Sequence, residues 1–165
     1  QLSMDYSRPP AEHFAIGQQL GVLRERGVLI VGSGNIVHNL RTMRRDAADN
    51  QAYDWVIEFD RITAGHIEQG RLEALCDFQQ LGDMAQLAHP SWEHYLPLLY
   101  TAGAVEAGER PRFFNEGFQA ASISMRSVIW GENLRPGDLS PCFNLVIRPH
   151  CYQLCLLRAS CSSAG

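Results

Sequence analysis

The sequence has no long apolar run and no block of basic residues, and these absences narrow the class of protein. No stretch approaches the roughly 18 uninterrupted apolar residues of a transmembrane helix, so we expect no membrane partner. The net charge is −4, which argues against nucleic acid or an anionic membrane surface as a partner. The apolar content of 45% and charged content of 19% are typical of a globular chain.

Cysteine is scarce in most of the chain and frequent near its end. Residues 1–131 contain one cysteine, Cys76. Scarce cysteine is typical of cytosolic proteins, so we predict a cytoplasmic location. Residues 132–165 show no sustained periodicity, and we expect them to be an irregular, cysteine-rich extension. The other four cysteines lie in this extension: Cys142, Cys151, Cys155 and Cys161.

The first residues suggest that a strand is already under way. Gln1–Asp5 resembles the end of a strand, so we expect the chain to be a fragment of a larger single domain. A helix is predicted over Ser7–Arg26, with Gly27 as a left-handed C-terminal cap. A strand, a helix and a second strand form a crossover unit in which the two strands are parallel.

The most informative stretch is Val28–Arg41. It opens with four apolar residues, Val28–Val31, closed by a Gly-Ser-Gly sequence, which predicts a short strand buried on both faces. A polar loop with Asn35, His38 and Asn39 follows at once. Ligands of open α/β sheets bind beyond the carboxyl ends of the strands, so these side chains are candidate functional residues. A plain turn with a surface histidine is an equally open interpretation.

The remaining patterns predict further helices and strands. Together they indicate an α/β fold with a mixed, partly parallel sheet flanked by helices. The predicted elements are a helix over Tyr53–Gln69, short helices over Arg71–Ala88 broken at Gly82, a helix capped by Ser91, an edge strand over Arg112–Phe118 and a final strand over Ala121–Trp130.

His94 is a second candidate. We expect it in the first turn of the helix that Ser91 caps, near the positive end of the helix dipole. That position favours the neutral imidazole, which is the form that binds metal. A surface or capping histidine is an equally open interpretation from these residues alone.

Three motifs carry a resemblance to a known family: GNIVHNLR at 34–41, SWEHYLPLLY at 91–100 and SISMRSV at 122–128. Together they resemble the 4,5-DOPA-type extradiol aromatic-ring-opening dioxygenases. These belong to the class III superfamily that includes the catalytic subunit of protocatechuate 4,5-dioxygenase. The resemblance runs over residues 1–131 and covers the C-terminal half of a family member.

The resemblance implies a mononuclear non-haem metal site, with Fe(II), or Zn(II) as isolated, that chelates a catecholic substrate and activates O2. His94 matches a metal ligand. His38 matches a histidine that is either a further ligand or the catalytic acid/base. Asn35 and Asn39 are expected to orient His38 or the substrate. The family's two other site histidines belong to motifs absent here, so we expect the isolated chain to be inactive without the missing N-terminal half.

Two other functions remain open. A member of the superfamily can keep the fold as a non-enzymatic binding or scaffold module. A zinc hydrolase on a similar α/β fold would need an acidic ligand or base near His38. Asp46 and Asp49 are nearby in sequence, but we expect the arginines of the same loop to pair with them.

Overall fold

The computed structural model describes residues 1–131 and the strand Gln153–Leu157. The α-helices are α1 Pro10–Leu20, α2 Asp54–Glu68, α3 Asp83–Ala88 and α4 Leu96–Gly103. Short 3-10 helices span Gly21–Arg26, Leu40–Thr42 and Leu72–Leu81. The strands are β1 Ile30–Gly34, β2 Pro111–Phe114, β3 Phe118–Gln119, β4 Ile123–Ser124, β5 Ser127–Trp130 and β6 Gln153–Leu157.

Among the described residues, the main sheet has four strands in the order β1-β6-β5-β2, and β3 and β4 form a separate antiparallel pair. Strands β5 and β6 are parallel, whereas the β1–β6 and β2–β5 pairs are antiparallel. Helix α4 packs on β1, and α1 packs on α4. The predicted α/β fold with a mixed, partly parallel sheet flanked by helices is confirmed. Within the described residues, no helix has the length and apolar content needed to cross a membrane.

Strand β1 is buried on one face, so the prediction of burial on both faces is wrong. Val28 and Val31 are 41% and 45% exposed. The buried positions of the strand are Gly32 and Gly34, which lie against the chain at the start of α4. A Cβ on Gly32 would lie 2.5 Å from the carbonyl oxygen of Pro97. The helix therefore contacts glycine backbone, and the valines face outward.

The N-terminal residues form a turn, and the strand predicted over Gln1–Asp5 is absent. The Asp5 carboxylate accepts hydrogen bonds from the Ser7 amide at 3.1 Å and the Ser7 hydroxyl at 2.6 Å. The Arg8 amide donates to the Asp5 carbonyl. These bonds close a turn over residues 5–8, and residues 1–5 form no strand, so the predicted crossover unit does not form. The helix begins at Pro10 and ends in a 3-10 segment, and Gly27 is left-handed as predicted, with φ 79°.

The predicted final strand over Ala121–Trp130 is two strands in two sheets. Ala120 and Ala121 have positive φ values of 50° and 62°, which break extended backbone before β4. Between β4 and β5, Arg126 donates to the buried carboxylate of Asp60 on α2, with Nε 3.0 Å from Oδ2. The chain therefore leaves one sheet before it enters the next. The predicted edge strand is confirmed but short, since β2 lies at the sheet edge and ends at Phe114.

The helices predicted over Tyr53–Gln69 and Arg71–Ala88 are confirmed. Helix α2 occupies Asp54–Glu68, and Gly82 separates the 3-10 helix from α3. The extension was expected to be irregular, but Gln153–Leu157 is a strand between β1 and β5. The rest of the extension lies outside the described residues, and the boundary at residue 131 stays a prediction.

Helices α1 and α4 cross at backbone contact. A Cβ on Gly17 would overlap the backbone of Tyr100, and a Cβ on Gly103 would overlap the backbone of Phe14. Glycine at both positions lets the helices approach until main-chain atoms touch, which fixes α4 over the sheet.

We predict that Gly17→Ala lowers the free energy of unfolding by about 1–3 kcal/mol, because the added methyl forces the two helices apart. Gly65→Ala is the matched control, since Gly65 also lies inside a helix and its nearest neighbour is a Gln69 side-chain atom at 4.0 Å. We expect Gly65→Ala to raise the free energy of unfolding by roughly 0.5–1 kcal/mol. Urea denaturation followed by circular dichroism measures both. Equal effects of the two changes would contradict close α1–α4 packing.

Candidate active site

His38 and His94 lie side by side at the end of β1. Their ring centroids are 3.6 Å apart and their ring planes differ by 18°, so the imidazoles are stacked. Both side chains are partly exposed. The structure therefore brings together the two histidines that the separate sequence motifs single out.

Backbone contacts place the two histidines next to each other. The amide of Asn35 donates to the carbonyl oxygen of His94 at 2.7 Å, and the amide of His38 donates to Ala88 at 3.0 Å. A Cβ on Gly34 would overlap the carbonyl oxygen of His94. The strand end must therefore be glycine for the loop to reach the chain before α4.

His94 lies in a turn just before α4, and the prediction that it lies in the first helical turn is wrong. Helix α4 begins at Leu96. The hydroxyl of Ser91 donates to the Glu93 carboxylate at 2.8 Å and forms no helix cap. The Tyr95 amide donates to the carbonyl of Trp92 at 2.9 Å, which closes the turn. His94 is thus held by turn geometry beside β1.

Burial keeps both histidines toward the neutral form. It lowers the pKa of His38, and the neighbouring His94 lowers the pKa of His38 further. Burial also lowers the pKa of His94. The Glu93 carboxylate acts in the opposite direction on both. Since the neutral imidazole carries the free lone pair, these shifts keep a lone pair available on each ring for a metal ion.

Asn35 and Asn39 are buried and tie the His38 loop to its surroundings. The Nδ2 of Asn35 donates to the carbonyl of Ser124 at 2.9 Å. The Nδ2 of Asn39 donates to the carbonyl of Leu87 at 2.7 Å, and its Oδ1 accepts from the Arg41 amide at 2.9 Å. These bonds orient the loop that carries His38. A contact of either amide with substrate stays a prediction.

His89 lies behind the pair and was not among the candidates from the sequence. Its Nε2 is 2.6 Å from the carbonyl oxygen of Ile36. Because a carbonyl only accepts, Nε2 carries the proton. Nδ1 is buried and has no hydrogen-bond partner among the described residues, which costs about 1–3 kcal/mol. The aromatic rings of Phe59, Phe78 and Tyr95 surround the imidazole.

Asp60 is a second buried polar residue that the sequence did not mark, and it connects α2 to the loop that carries His38. The carboxylate of Asp60 accepts from the hydroxyl of Ser124 at 2.6 Å and from Arg126. The carbonyl of Ser124 in turn accepts from Asn35. In the sequence, Asp60 is one of several carboxylates of a helix, and nothing marks it as buried. His89 likewise stands before a proline and signals only the end of a helix.

The donor types at this site suit a metal, but the set is incomplete within the described residues. Imidazole is a common ligand of iron and zinc. No group of three or more His, Cys, Asp or Glu side chains in the described residues is placed to hold an ion. The two ring planes are nearly parallel with centroids 3.6 Å apart, so one ring must rotate before a nearby ion can lie in the planes of both. His38 and His94 can therefore supply two ligands of a site that needs more.

Comparison with known proteins identifies the family. The family model described as "Catalytic LigB subunit of aromatic ring-opening dioxygenase" matches residues 3–128. The chain belongs to this family. The resemblance seen in the three sequence motifs is thus confirmed, and the family is one of ring-cleaving dioxygenases.

Curated relatives extend the same likeness. The chain is 40% identical over 134 residues to the 4,5-DOPA dioxygenase extradiol of Escherichia coli K12, covering 78% of this chain and 48% of that protein. It is 34% identical over 112 residues to the protein of the same name from Mirabilis jalapa, covering 68% of this chain and 40% of that protein. The chain therefore spans about half the length of the curated relatives it matches.

A solved structure shares the fold. The crystal structure of an uncharacterised protein from Escherichia coli K12 superposes with a TM-score of 0.70 at 37% sequence identity. The match covers 76% of this chain and 52% of that one. The arrangement of helices around a mixed sheet is thus shared with that solved structure.

We predict that acid destabilises the protein through His89. Burial lowers the pKa of His89 from 6.5 to about 4. Between these values the unfolded chain binds a proton that the folded chain excludes, so the stability present above pH 6.5 falls as the pH is lowered. The loss from this residue is roughly 3 kcal/mol by pH 4. Urea denaturation across this range should give a shallower pH dependence for His89→Gln, and identical slopes would contradict the assignment.

Proposed function

We propose that this chain is part of a metal-dependent extradiol dioxygenase that opens the ring of a catecholic, DOPA-like substrate with O2. The metal is Fe(II), or Zn(II) as isolated. The observation that carries the proposal is the stacked, partly exposed pair of His38 and His94 at the end of β1. The matched relatives named 4,5-DOPA dioxygenase extradiol support the substrate class.

The two histidines have separate roles in this proposal. His94 binds the metal, and His38 is either a second ligand or the acid/base. A metal held by His94 would supply Lewis acidity toward the catechol and would help to activate O2. His38 accepts a proton from a catechol hydroxyl and returns one during ring opening, and its lowered pKa leaves the imidazole unprotonated and able to act as the base. Asn35 and Asn39 hold the loop in place through buried amides.

The ligands beyond His38 and His94 come from outside the described residues. A catalytic metal site keeps at least three protein ligands, and the relatives are about twice as long as the matched segment. We therefore propose that the chain alone is inactive and that the N-terminal half of the family fold completes the site. The single cysteine of residues 1–131 favours the cytoplasm as its location.

Two other functions have less support. A non-enzymatic binding module is favoured by the incomplete ligand set within the described residues. A zinc hydrolase needs a free acidic group beside His38. Asp46 instead pairs with Arg44 at 3.1 Å in an exposed loop. The Glu93 carboxylate, which acts on both histidines, accepts from the Ser91 hydroxyl at 2.8 Å. The ring-cleavage proposal therefore has more support.

A chimaera tests the ring-cleavage proposal. Residues 1–131 of this chain replace the matched segment of the Escherichia coli 4,5-DOPA dioxygenase extradiol, and O2 uptake with L-DOPA and Fe(II) is measured. We expect turnover, loss of bound metal in His94→Ala, and a kcat lower by roughly 10²–10⁴-fold in His38→Ala.

The control for the chimaera is His66→Ala. His66 lies in α2 and lines a separate cavity of about 220 Å³, so this change should leave kcat and KM unaltered. A folded chimaera that keeps full activity without His38 and His94 would refute the proposed site.

We also predict that anaerobic titration of Fe(II) into the unmodified chain gives no stoichiometric complex, because two imidazoles are too few to hold the ion tightly. Calorimetry measures the stoichiometry, and a His38→Ala and His94→Ala double variant supplies the background. A one-to-one complex that cleaves a catechol would show that the chain holds a complete site.

A further inference from the structure

The segment that carries His38 is held by a two-point clamp from Ala88 and His89. The amide of His38 donates to the carbonyl of Ala88 at 3.0 Å. Two residues earlier, the carbonyl of Ile36 accepts from the ring of His89 at 2.6 Å. Ile36 and Val37 are fully buried, so packing in the core restricts the backbone just before His38. These two bonds, together with the Val37 carbonyl that accepts from the Ser124 amide at 3.1 Å, hold the backbone from which His38 leaves the core.

Core packing alone does not account for a histidine at position 89. The ring is surrounded by Phe59, Phe78 and Tyr95, an environment that an apolar side chain would also pack into. Histidine leaves Nδ1 buried and unpartnered among the described residues, which reduces stability. What the imidazole adds is one directed hydrogen bond to the Ile36 carbonyl, which an apolar side chain would leave buried and unsatisfied.

We propose that His89 is a positioning residue, whose hydrogen bond to the Ile36 carbonyl fixes the loop 35–39 so that His38 faces His94. The bond orients the backbone two residues before His38, and the stacked ring pair follows from that orientation. The roles given to the histidine pair, which are metal binding and proton transfer, rest on the proposed function. The effect of His89 on the geometry of the pair does not.

The chain contains a matched control in His13. Its ring is as buried as that of His89, its Nδ1 is 2.8 Å from the hydroxyl of Tyr100, and its Nε2 has no partner among the described residues. His13 is a residue of α1 and its ring contacts α4. No hydrogen bond joins its ring to the His38 loop among the described residues. Changes at the two positions carry similar burial costs, and only the change at His89 should alter the histidine pair.

The test uses three variants of the full chain: His89→Leu, His89→Gln and His13→Leu. Leucine removes the donor, whereas glutamine places an amide N–H near the position of the imidazole Nε2. The readouts are the ring-current shifts of the His38 and His94 imidazoles by NMR and the hydrogen exchange of the His38 amide. Both are measured without metal and without turnover.

We expect His89→Leu to abolish the mutual ring-current shifts and to speed His38 amide exchange about tenfold, the effect of losing one buried hydrogen bond. His89→Gln should restore both signals. His13→Leu should lower global stability and leave the ring shifts unchanged. Stacking signals that survive in folded His89→Leu would overturn the proposal, as would an equal loss in His13→Leu.

A further pair of variants decides the matter if His89→Leu does not fold. His89→Asn keeps a polar amide but is one methylene shorter than glutamine and does not reach the Ile36 carbonyl. The proposal requires the glutamine variant to keep the ring shifts and the asparagine variant to lose them, and identical spectra would overturn it. Failure of the chimaera to cleave catechols would bear on the proposed function and leave these spectra unaffected.

Discussion

The close approach of the chain before α4 to the glycine backbone of β1 is the contact on which the rest of the site depends. Gly34 has no side chain, so the amide of Asn35 reaches the carbonyl of His94. Any side chain at that position would separate the strand end from the turn that carries His94. This one main-chain bond joins the loop that carries His38 to the turn that carries His94. The packing of α1 against α4 holds the chain after that turn in place.

The site residues were predictable where local motifs mark them, and the supporting residues were not. His38 and His94 stand in polar motifs beside predicted elements, and the structure places them together. His89 and Asp60 are polar groups in the core, and burial is a property of the tertiary fold that no short pattern encodes. The donor that orients His38 and the carboxylate that braces its loop therefore appear only once the helices are packed.

The same distinction explains which elements of the fold were predicted correctly. Helix α2 and the break at Gly82 follow from local periodicity and a glycine, and both were correct. The burial of β1 was predicted from its apolar residues, whereas α4 packs on the glycines and leaves Val31 outward. The run Ala121–Trp130 alternates like one strand, but the bond from Arg126 to Asp60 divides it between two sheets. In the two wrong predictions, for β1 and for the run Ala121–Trp130, long-range contacts override local preference.

The position of β6 in the sheet has a consequence for the order of folding. Strand β1 pairs with Gln153–Leu157, far along the chain, so this ladder requires a large loop to close and forms slowly. The bonds that join His38 to Ala88 and Asn35 to His94 link segments much nearer in sequence. The histidine pair can therefore assemble on the helical part of the molecule before the sheet is complete. Its geometry does not depend on the pairing of β6.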